Sequence, residues 1–321
     1  MTRKLKPQPK LTVAKKQPPR WQRERSISLL IWIIIPLIIV SALGLVGYWG
    51  YDTYVTPWKQ TVAKVNDTTI DMRYFVKMLR YNVLRYEIKD KEVIRQIAPA
   101  VLKQIENNEL IRQKAPTMDI EVTPEEITER IENDLLAGQG NATQPEIDLD
   151  QHYEQVRELT GLSVAQYREI RETELLSAKI REYLKDEKVP EEAKHIHPFI
   201  LERPSEEEAL EALAGLQKGN ATLEEELAAG DLGWVPEGIY PEFDEVAFGL
   251  AVGNVSEPIP TDQGYYIIKV SETDESRPVE DATREILAYR EFEKWLEEER
   301  EASIIETDLD PDKTTWAVNH I

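Results

Sequence analysis

The segment Gly230–Val270 constrains the fold more than any other part of the chain, because glycine interrupts it repeatedly. Seven of the chain's 14 glycines lie in the range Gly219–Gly264, and this density predicts frequent turns and short helices. A short helix with one apolar face is predicted after Pro241, and the β-branched and aromatic run Tyr265–Val270 is typical of a buried strand. The segment therefore predicts a small α+β unit that ends on a strand.

The residues before this segment add a strand and a helix to the same unit. Ala193–Ile196 has the pattern of a strand entry, and Ser205 with Glu208 forms a capping box that starts a helix ending at Gly219. Residues 191–272 resemble the parvulin type of peptidyl-prolyl isomerase domain. The matching sequences are His195-Ile196, GDLGW at 230–234, PEFDEVAF at 241–248, VSEP at 255–258 and GYYIIKV at 264–270.

Charge and hydropathy divide the beginning of the chain from the rest. Residues 1–25 hold nine Lys and Arg against one Glu, although the whole chain carries a net charge of -21. The 23 residues from Ile27 to Trp49 carry no charge, which is enough to cross a hydrocarbon layer of ~30 Å at ~1.5 Å per residue. Positive charges before such a span hold the N-terminus inside. The sequence predicts a basic cytoplasmic tail (1–26), a single N-terminal transmembrane helix (27–49) and an extracytoplasmic remainder; a cleaved signal peptide is the alternative.

The composition also excludes several kinds of chemical site. The chain has no cysteine, so disulfides, thiolate metal sites and cysteine nucleophiles are excluded. The acidic main part argues against nucleic-acid binding. His195 and His197 would face one side of a strand, but no third metal ligand lies near them in the sequence, so neither a metal site nor a cofactor is predicted.

Residues 56–188 are predicted to be mostly helical, with a strand and turn at 62–70 before the first helix. Thr123 and Glu126 form another capping box, and Ser163 begins a long helix. The region resembles the N-terminal chaperone domain of the SurA, PrsA and PpiD group of extracytoplasmic folding factors. The matching sequences are VAKVNDTTI at 62–70, VLKQIENNELIRQKA at 101–115 and IEVTPEEI at 120–127.

This resemblance implies an α+β fold in which the parvulin-like domain, 191–272, is inserted into a helical chaperone domain, 56–188. The apolar stripe of the predicted helix at 279–301 needs burial, and the resemblance implies that this helix docks on the chaperone domain and completes it. The last residues, 302–321, are acidic and then polar, and we expect them to be disordered.

Prolyl isomerisation breaks no bond, so it needs an apolar slot for the proline ring and polar groups that favour the twisted amide. The resemblance implies that Ile239 and Phe243, with Trp234, bind substrate. His195 matches the family's first histidine, with His197 as the alternative, and Tyr266 stands where the family has its second. The chain also departs from the family at 223–229, which runs directly into Gly230 without an intervening loop.

The resemblance implies a membrane-anchored chaperone or foldase that binds unfolded, proline-containing secreted or envelope polypeptides. The broken histidine pair and the missing loop imply weak or lost isomerase activity. Two alternatives stay open, namely an active peptidyl-prolyl isomerase on the same clients and a scaffold for a translocation or envelope complex. The secretion machinery is a candidate partner.

Overall fold

The computed structural model describes residue 37 and residues 40–46, 48–138 and 147–321. Contacts between residues divide the chain into an N-terminal unit, residues 1–60, and a main unit, residues 61–321. Each is described by itself below.

In the N-terminal unit, the described residues 37, 40–46 and 48–54 are helical and form α1, and a short 3-10 helix follows at Pro57–Lys59. The Lys59 ammonium donates a hydrogen bond to the Tyr51 hydroxyl at 3.2 Å. Most of the predicted span 27–49, and the basic tail before it, lies outside the described residues. Within the part that is described, no helix combines the length and the apolarity that crossing a membrane requires.

The main unit begins with a hairpin and five helices, and the helices after Thr123 and Ser163 start at the predicted caps. Asp71 accepts the Tyr74 amide to start the first of these helices. Thr123 and Glu126 cap each other's backbone amides, and Ser163 and Gln166 do the same. The elements are β1 (Thr61–Val65), β2 (Thr68–Asp71), α2 (Met72–Arg85), α3 (Lys91–Lys114), α4 (Pro124–Gly138), α5 (Leu149–Thr160) and α6 (Val164–Lys188).

A four-stranded antiparallel sheet follows, in the order β4-β3-β6-β5. Its two central strands, β3 and β6, pair along their whole length, with Ile200 opposite Ile268 and Glu202 opposite Tyr266. We call residues 192–278 the sheet unit. Its elements are β3 (Glu192–Arg203), α7 (Glu206–Gln217), α8 (Ala221–Ala229), β4 (Val235–Pro236), α9 (Asp244–Gly249), β5 (Ile259–Thr261) and β6 (Gly264–Pro278).

The two faces of this sheet have separate cores. On one face, Leu201 and Ile267 pack with the buried side of α7 and with Leu227 of α8. On the other face, Ile268 and Val270 pack with Phe243 and with Ala247 of α9. Side chains alternate between the two faces along a strand, so each face has its own core. The candidate site lies on the second face, with Phe243.

The chain then returns to the helices. α10 (Asp281–Glu301) packs against α6 and α3, and its buried side chains are Ala288, Phe292 and Leu296. We call β1, β2 and α2–α6, together with α10 and the elements that follow it, the helical core.

The expectation that residues 302–321 are disordered is wrong. They form β7 (Ile305–Thr307) and α11 (Pro311–Val318). β7 pairs antiparallel with β1, which makes β1 the middle strand of a sheet ordered β2-β1-β7. α11 packs on α3 and α2 with Ala317 and Val318 buried. The polar composition of these residues gave no sign of either element, because each element buries only a few side chains. Those side chains pack against strands and helices that are far away in the sequence.

Candidate functional site

Three aromatic side chains form the centre of the candidate site. The Tyr240 ring stacks on Phe243 with 5.0 Å between the centroids and 18° between the planes. Tyr266 meets Phe243 edge to face at 6.2 Å and 85°. Phe243 is only 3% exposed, whereas Tyr240 and Tyr266 are half-buried. We call Tyr240, Phe243 and Tyr266 the aromatic pocket; together they give an apolar surface with two phenol groups at its rim.

The Tyr266 phenol is one of the two hydroxyl groups of this pocket. Burial raises its pKa, and the carboxylates of Glu202 and Glu242 raise it further. Its hydroxyl donates a hydrogen bond to Gln263 Oε1 at 3.3 Å. A phenol whose pKa is raised stays protonated at neutral pH, so Tyr266 is available there as a hydrogen-bond donor and not as a base.

The loop before Phe243 is held by Asp244. Asp244 Oδ2 accepts the Gly238 amide at 2.6 Å, and Gly238 has a φ of +96°, a conformation that favours glycine. This turn fixes the backbone that carries Ile239 and Tyr240. Ile239 is half-buried and stays a predicted pocket residue, while the neighbouring Tyr240 makes the ring contact with Phe243.

The structure does not bring His195 together with Tyr266. His195 is 4% exposed, lies opposite Pro236 and Asp274 in the sheet, and its Nδ1 is 2.9 Å from the Ala193 carbonyl. Tyr266 pairs with Glu202, so seven residues of β3 separate the two positions, about 23 Å at ~3.3 Å per residue. His195 is therefore a buried strand residue that lies far from Tyr266 along the sheet, and a catalytic role for these two residues stays a prediction.

His197 and Trp234 form a different cluster. His197 Nε2 lies 2.6 Å from Asp231 Oδ1, and its ring stacks on Phe199 and meets Trp234 at 5.6 Å. The Arg277 guanidinium lies 4.6 Å over the Trp234 ring. Phe199 packs with the core under α7 and α8, which is the opposite face of the sheet from the aromatic pocket. Trp234, predicted to bind substrate, makes its described ring contacts in this cluster and not in the pocket.

The chain has four histidines, and the structure describes all of them. His152 contacts Tyr167 in the helical core, and His320 stacks on Trp316. With His195 and His197 placed as above, none of the described histidine rings pairs with the Tyr266 phenol. Among the described residues there is also no group of three His, Cys, Asp or Glu that could hold a metal ion.

The shortened connection after α8 is visible in the backbone. Gly230, directly after α8, accepts the Ile200 amide at 2.9 Å. A Cβ at Gly230 would lie 1.9 Å from the Ile200 carbonyl oxygen, so only glycine fits this crossing. The chain therefore passes from α8 directly to a backbone contact with β3, without an intervening loop.

Sequence reasoning missed Tyr240. Its spacing of three residues from Phe243 was the signal for a shared apolar face. It also missed the separation of His195 from Tyr266. That separation is set by strand register, and β3 and β6 shift register twice, between Ala193 and His195 and between His197 and Pro198.

A second candidate surface lies in the helical core. A groove of about 620 Å³ opens between α2, α4, α5 and α6, with Tyr81, Leu84, Val156 and Leu159 among its lining residues. Leu84 is 45% exposed and Leu159 is 52% exposed. Such side chains on neighbouring helices leave an apolar surface open to a partner.

The arginines beside this groove are compensated by carboxylates. Arg85 pairs with Glu174 at 3.2 Å, and Arg130 pairs with Asp134 at 3.3 Å. Arg171 contacts both carboxylates, at 2.7 Å to Glu174 and 3.3 Å to Asp134. The groove therefore offers apolar contact flanked by an ionic network of three arginines and two carboxylates.

Two family models match the chain. The model of the SurA-like N-terminal domain matches residues 20–181, and the model of the PPIC-type PPIase domain matches residues 176–272. The first covers half of the chain, and the second covers the aromatic pocket and most of the sheet unit.

Similar proteins come from several bacteria. Foldase protein PrsA of Geobacillus sp. strain WCH70 is 27% identical over 262 residues, 78% of this chain and 84% of the relative. Periplasmic chaperone PpiD of Haemophilus ducreyi is 39% identical over 85 residues, 23% of this chain and 14% of the relative. The crystal structure of peptidylprolyl isomerase PrsA from Bacillus anthracis covers 68% of this chain and 94% of its own, with 21% identity and a TM-score of 0.40. On the match to half of its length, the chain belongs to the family of proteins with a SurA-like N-terminal domain, here combined with a PPIC-type peptidyl-prolyl isomerase domain.

Proposed function

We propose that this protein is a membrane-anchored extracytoplasmic chaperone that holds unfolded secreted or envelope polypeptides in the groove of its helical core. The observation that carries the proposal is the exposure of Leu84 and Leu159 beside a groove of about 620 Å³. Burying an exposed leucine against an unfolded client contributes ~1.5–3 kcal/mol, and the contact depends little on client sequence. The names of the foldase and chaperone relatives agree with this function.

The test is suppression of aggregation of a chemically unfolded client by the full chain. The double variant Leu84→Ser with Leu159→Ser removes the apolar contact while leaving buried positions unchanged, and we expect most of the suppression to be lost. Leu210→Ser is the matched control, because Leu210 is 48% exposed on α7, away from the groove. Equal suppression by the double variant and the control would contradict the groove assignment.

A second function, prolyl isomerisation, is supported by the aromatic pocket. Tyr240 and Phe243 offer an apolar slot for a proline ring, and the Tyr266 hydroxyl is a donor toward the client carbonyl. We propose that this activity is weak. The Tyr266 phenol has no imidazole partner among the described residues, and the chain runs from α8 directly into Gly230 without the intervening loop that the family resemblance implies.

The isomerase test compares Tyr266→Phe and Tyr266→His with the unchanged chain on a proline tetrapeptide. Uncatalysed isomerisation takes ~10–100 s at 25 °C, so a small acceleration is measurable. We expect Tyr266→Phe to reduce a small acceleration and Tyr266→His to leave it small, because a single imidazole lacks its partner. A large acceleration that depends on His195 would contradict this proposal.

We also propose that residues 27–49 anchor the protein, with residues 1–26 in the cytoplasm and the main unit outside. The nine basic residues before an uncharged stretch of 23 residues support this orientation. Unfolded polypeptides leaving the secretion machinery would then reach the groove. Protease added to intact cells should digest the main unit; protection of the main unit while an external control protein is cut would refute the topology.

A further inference from the structure

The backbone of Gly238, two residues before Tyr240 of the aromatic pocket, is held by hydrogen bonds at both its amide and its carbonyl. Its amide donates to Asp244 Oδ2 at 2.6 Å within the sheet unit. Its carbonyl accepts from Arg290 Nη1 at 2.5 Å, and Arg290 lies on α10. A Cβ at Gly238 would lie 2.8 Å from Leu287 Cδ2 of the same helix. The loop that carries Ile239 and Tyr240 is therefore packed directly against α10.

α10 is fixed to the helical core and not to the sheet unit alone. Its buried residues Ala288, Phe292 and Leu296 are 1%, 6% and 6% exposed, and the helix packs on α6 and α3. At its end, Arg300 donates to the buried Glu106 carboxylate of α3 at 3.0 Å. Arg290 thus reaches the pocket loop from a helix whose position is set by the helical core.

We propose that α10 positions the aromatic pocket through Arg290, so that docking of α10 and binding of a proline-containing client stabilise each other. Arg290 and Leu287 hold the Gly238 peptide, the turn keeps Tyr240 stacked on Phe243, and a proline ring binds the surface that results. If a ligand favours the ordered loop, linkage requires that the ordered loop favours the ligand by the same factor. Arg290 is a positioning residue in this scheme, because its described contact is with the Gly238 backbone and not with the pocket rings.

The proposal rests on the proposed function of the pocket, so the experiment measures loop order and ligand binding separately in the full chain. Loop order is measured by hydrogen–deuterium exchange of residues 237–240, and binding by titration with the tetrapeptide Ala-Ala-Pro-Phe. The variants are Arg290→Ala and Arg290→Lys. Lys294→Ala is the matched control, because Lys294 is an exposed cation one turn further along the same helix.

A hydrogen bond from a charged donor is expected to change the exchange rate by at least about tenfold when it is removed. We therefore expect Arg290→Ala to raise exchange of the loop by that factor and to weaken tetrapeptide binding roughly fivefold. The exchange rate and the tetrapeptide affinity of Arg290→Lys should lie between those of Arg290→Ala and the unchanged chain, because a lysine can still donate a hydrogen bond. Lys294→Ala should match the unchanged chain in both measurements.

Two results would overturn the proposal. If hydrogen exchange of residues 237–240 is no faster in Arg290→Ala than in Lys294→Ala, α10 does not hold the loop. If exchange rises but tetrapeptide affinity is unchanged, the loop does not position the pocket. Failure of the unchanged chain to bind any proline tetrapeptide is a different result: it removes the proposed pocket function and with it the coupling to clients, while the exchange data still decide whether Arg290 orders the loop.

Discussion

The helical core and the sheet unit differ in how the chain supplies their elements. The sheet unit is one continuous segment, residues 192–278, and its central ladder joins two strands of that segment. The helical core is made from two segments on either side of it. Its middle strand β1 pairs with β2 a few residues away and with β7 some 240 residues away (65 to 305).

Hydrogen bonds to buried or turn residues join the two segments of the helical core. Glu106 on α3 is 2% exposed; it accepts from Arg300 of α10 at 3.0 Å and from Thr307 of β7 at 2.8 Å. Asn66, in the β1–β2 turn, accepts the Ile304 amide at 3.0 Å. A contiguous unit keeps its internal contacts when the rest of the chain is removed, and the sheet unit would lose only outside contacts such as that of Arg290 with Gly238. The helical core depends on a return of the chain. The predictions below separate these two behaviours.

The largest effect is expected from deletion of residues 303–321. It removes β7 and α11, exposes one edge of β1, and takes Thr307 from the buried Glu106 carboxylate. We expect the helical core to lose roughly 5 kcal/mol or more of its unfolding free energy, with the sheet unit unchanged. Segment-resolved hydrogen exchange in urea measures both. Simultaneous loss of protection in both units would show that the sheet unit is not independent.

Arg300→Ala should be the most damaging single substitution in the helical core. It leaves the Glu106 carboxylate buried without its cation, and breaking a buried pair from one side costs ~3–5 kcal/mol. Urea unfolding should show this loss, and Lys294→Ala on the same helix should show almost none. Partial recovery in Arg300→Ala with Glu106→Gln would confirm the cause, and a loss below 1 kcal/mol would contradict it.

Gly230→Ala should damage the sheet unit instead. The added Cβ would lie 1.9 Å from the Ile200 carbonyl oxygen, and overpacking of this kind costs ~1–3 kcal/mol. Gly249→Ala is the matched control, because a Cβ there meets nothing within 4 Å. Hydrogen exchange should rise in the sheet unit alone. A Gly230→Ala chain as stable as the control would mean that α8 does not cross β3 as described.

The smallest expected effect is a pH dependence of opposite sign in the two units. For Glu109 in the helical core, burial raises the carboxyl pKa, but hydrogen bonds from Thr68 and Gln113 and the Arg112 cation outweigh burial and lower it. For Asp244 in the sheet unit, burial dominates and raises the pKa. A lowered pKa in the folded state gives stability that is lost as pH falls through it, and a raised pKa gives the reverse.

Acidification from pH 7 to about pH 3 should therefore weaken the helical core through Glu109 once the pH falls below about 4.3, the ordinary pKa of a glutamate. Over the same range, the contribution of Asp244 should favour folding of the sheet unit as its carboxyl becomes protonated. Hydrogen exchange of each unit across this range tests the signs. Glu109→Gln should flatten the dependence of the helical core, and Asp244→Asn that of the sheet unit. A dependence of the same sign for both side chains would contradict the assignment.

Much of this architecture could be predicted from the sequence, because its signals are local. The caps at Thr123, Ser163 and Ser205 start helices where predicted, and the run ending at Val270 is a strand. What could not be predicted depends on distant partners. β7 is a strand because β1 has a free edge, and His195 lies apart from Tyr266 because of the register of β3 on β6.

Only part of the aromatic pocket could be predicted from the sequence, because only part of it has a local sequence signal. Phe243 has a helical spacing that marks it as apolar and buried, so it could be assigned from the sequence. The position of Tyr240 depends on a turn, and the contact of Arg290 with Gly238 depends on a helix from another segment of the chain. Neither feature leaves a periodic pattern in the sequence. The family resemblance supplied the positions of pocket residues but not which residues meet there.

The most direct test of the central claim, that two separated segments make the helical core, is reconstitution from fragments. A fragment of residues 56–190 is mixed with a peptide of residues 279–321 or with a shorter peptide of residues 279–302. We predict that the fragment alone unfolds without cooperativity, that the longer peptide restores a cooperative transition, and that the shorter peptide does so only weakly because it lacks β7 and α11. Cooperative unfolding of the fragment alone, unchanged by either peptide, would contradict the claim.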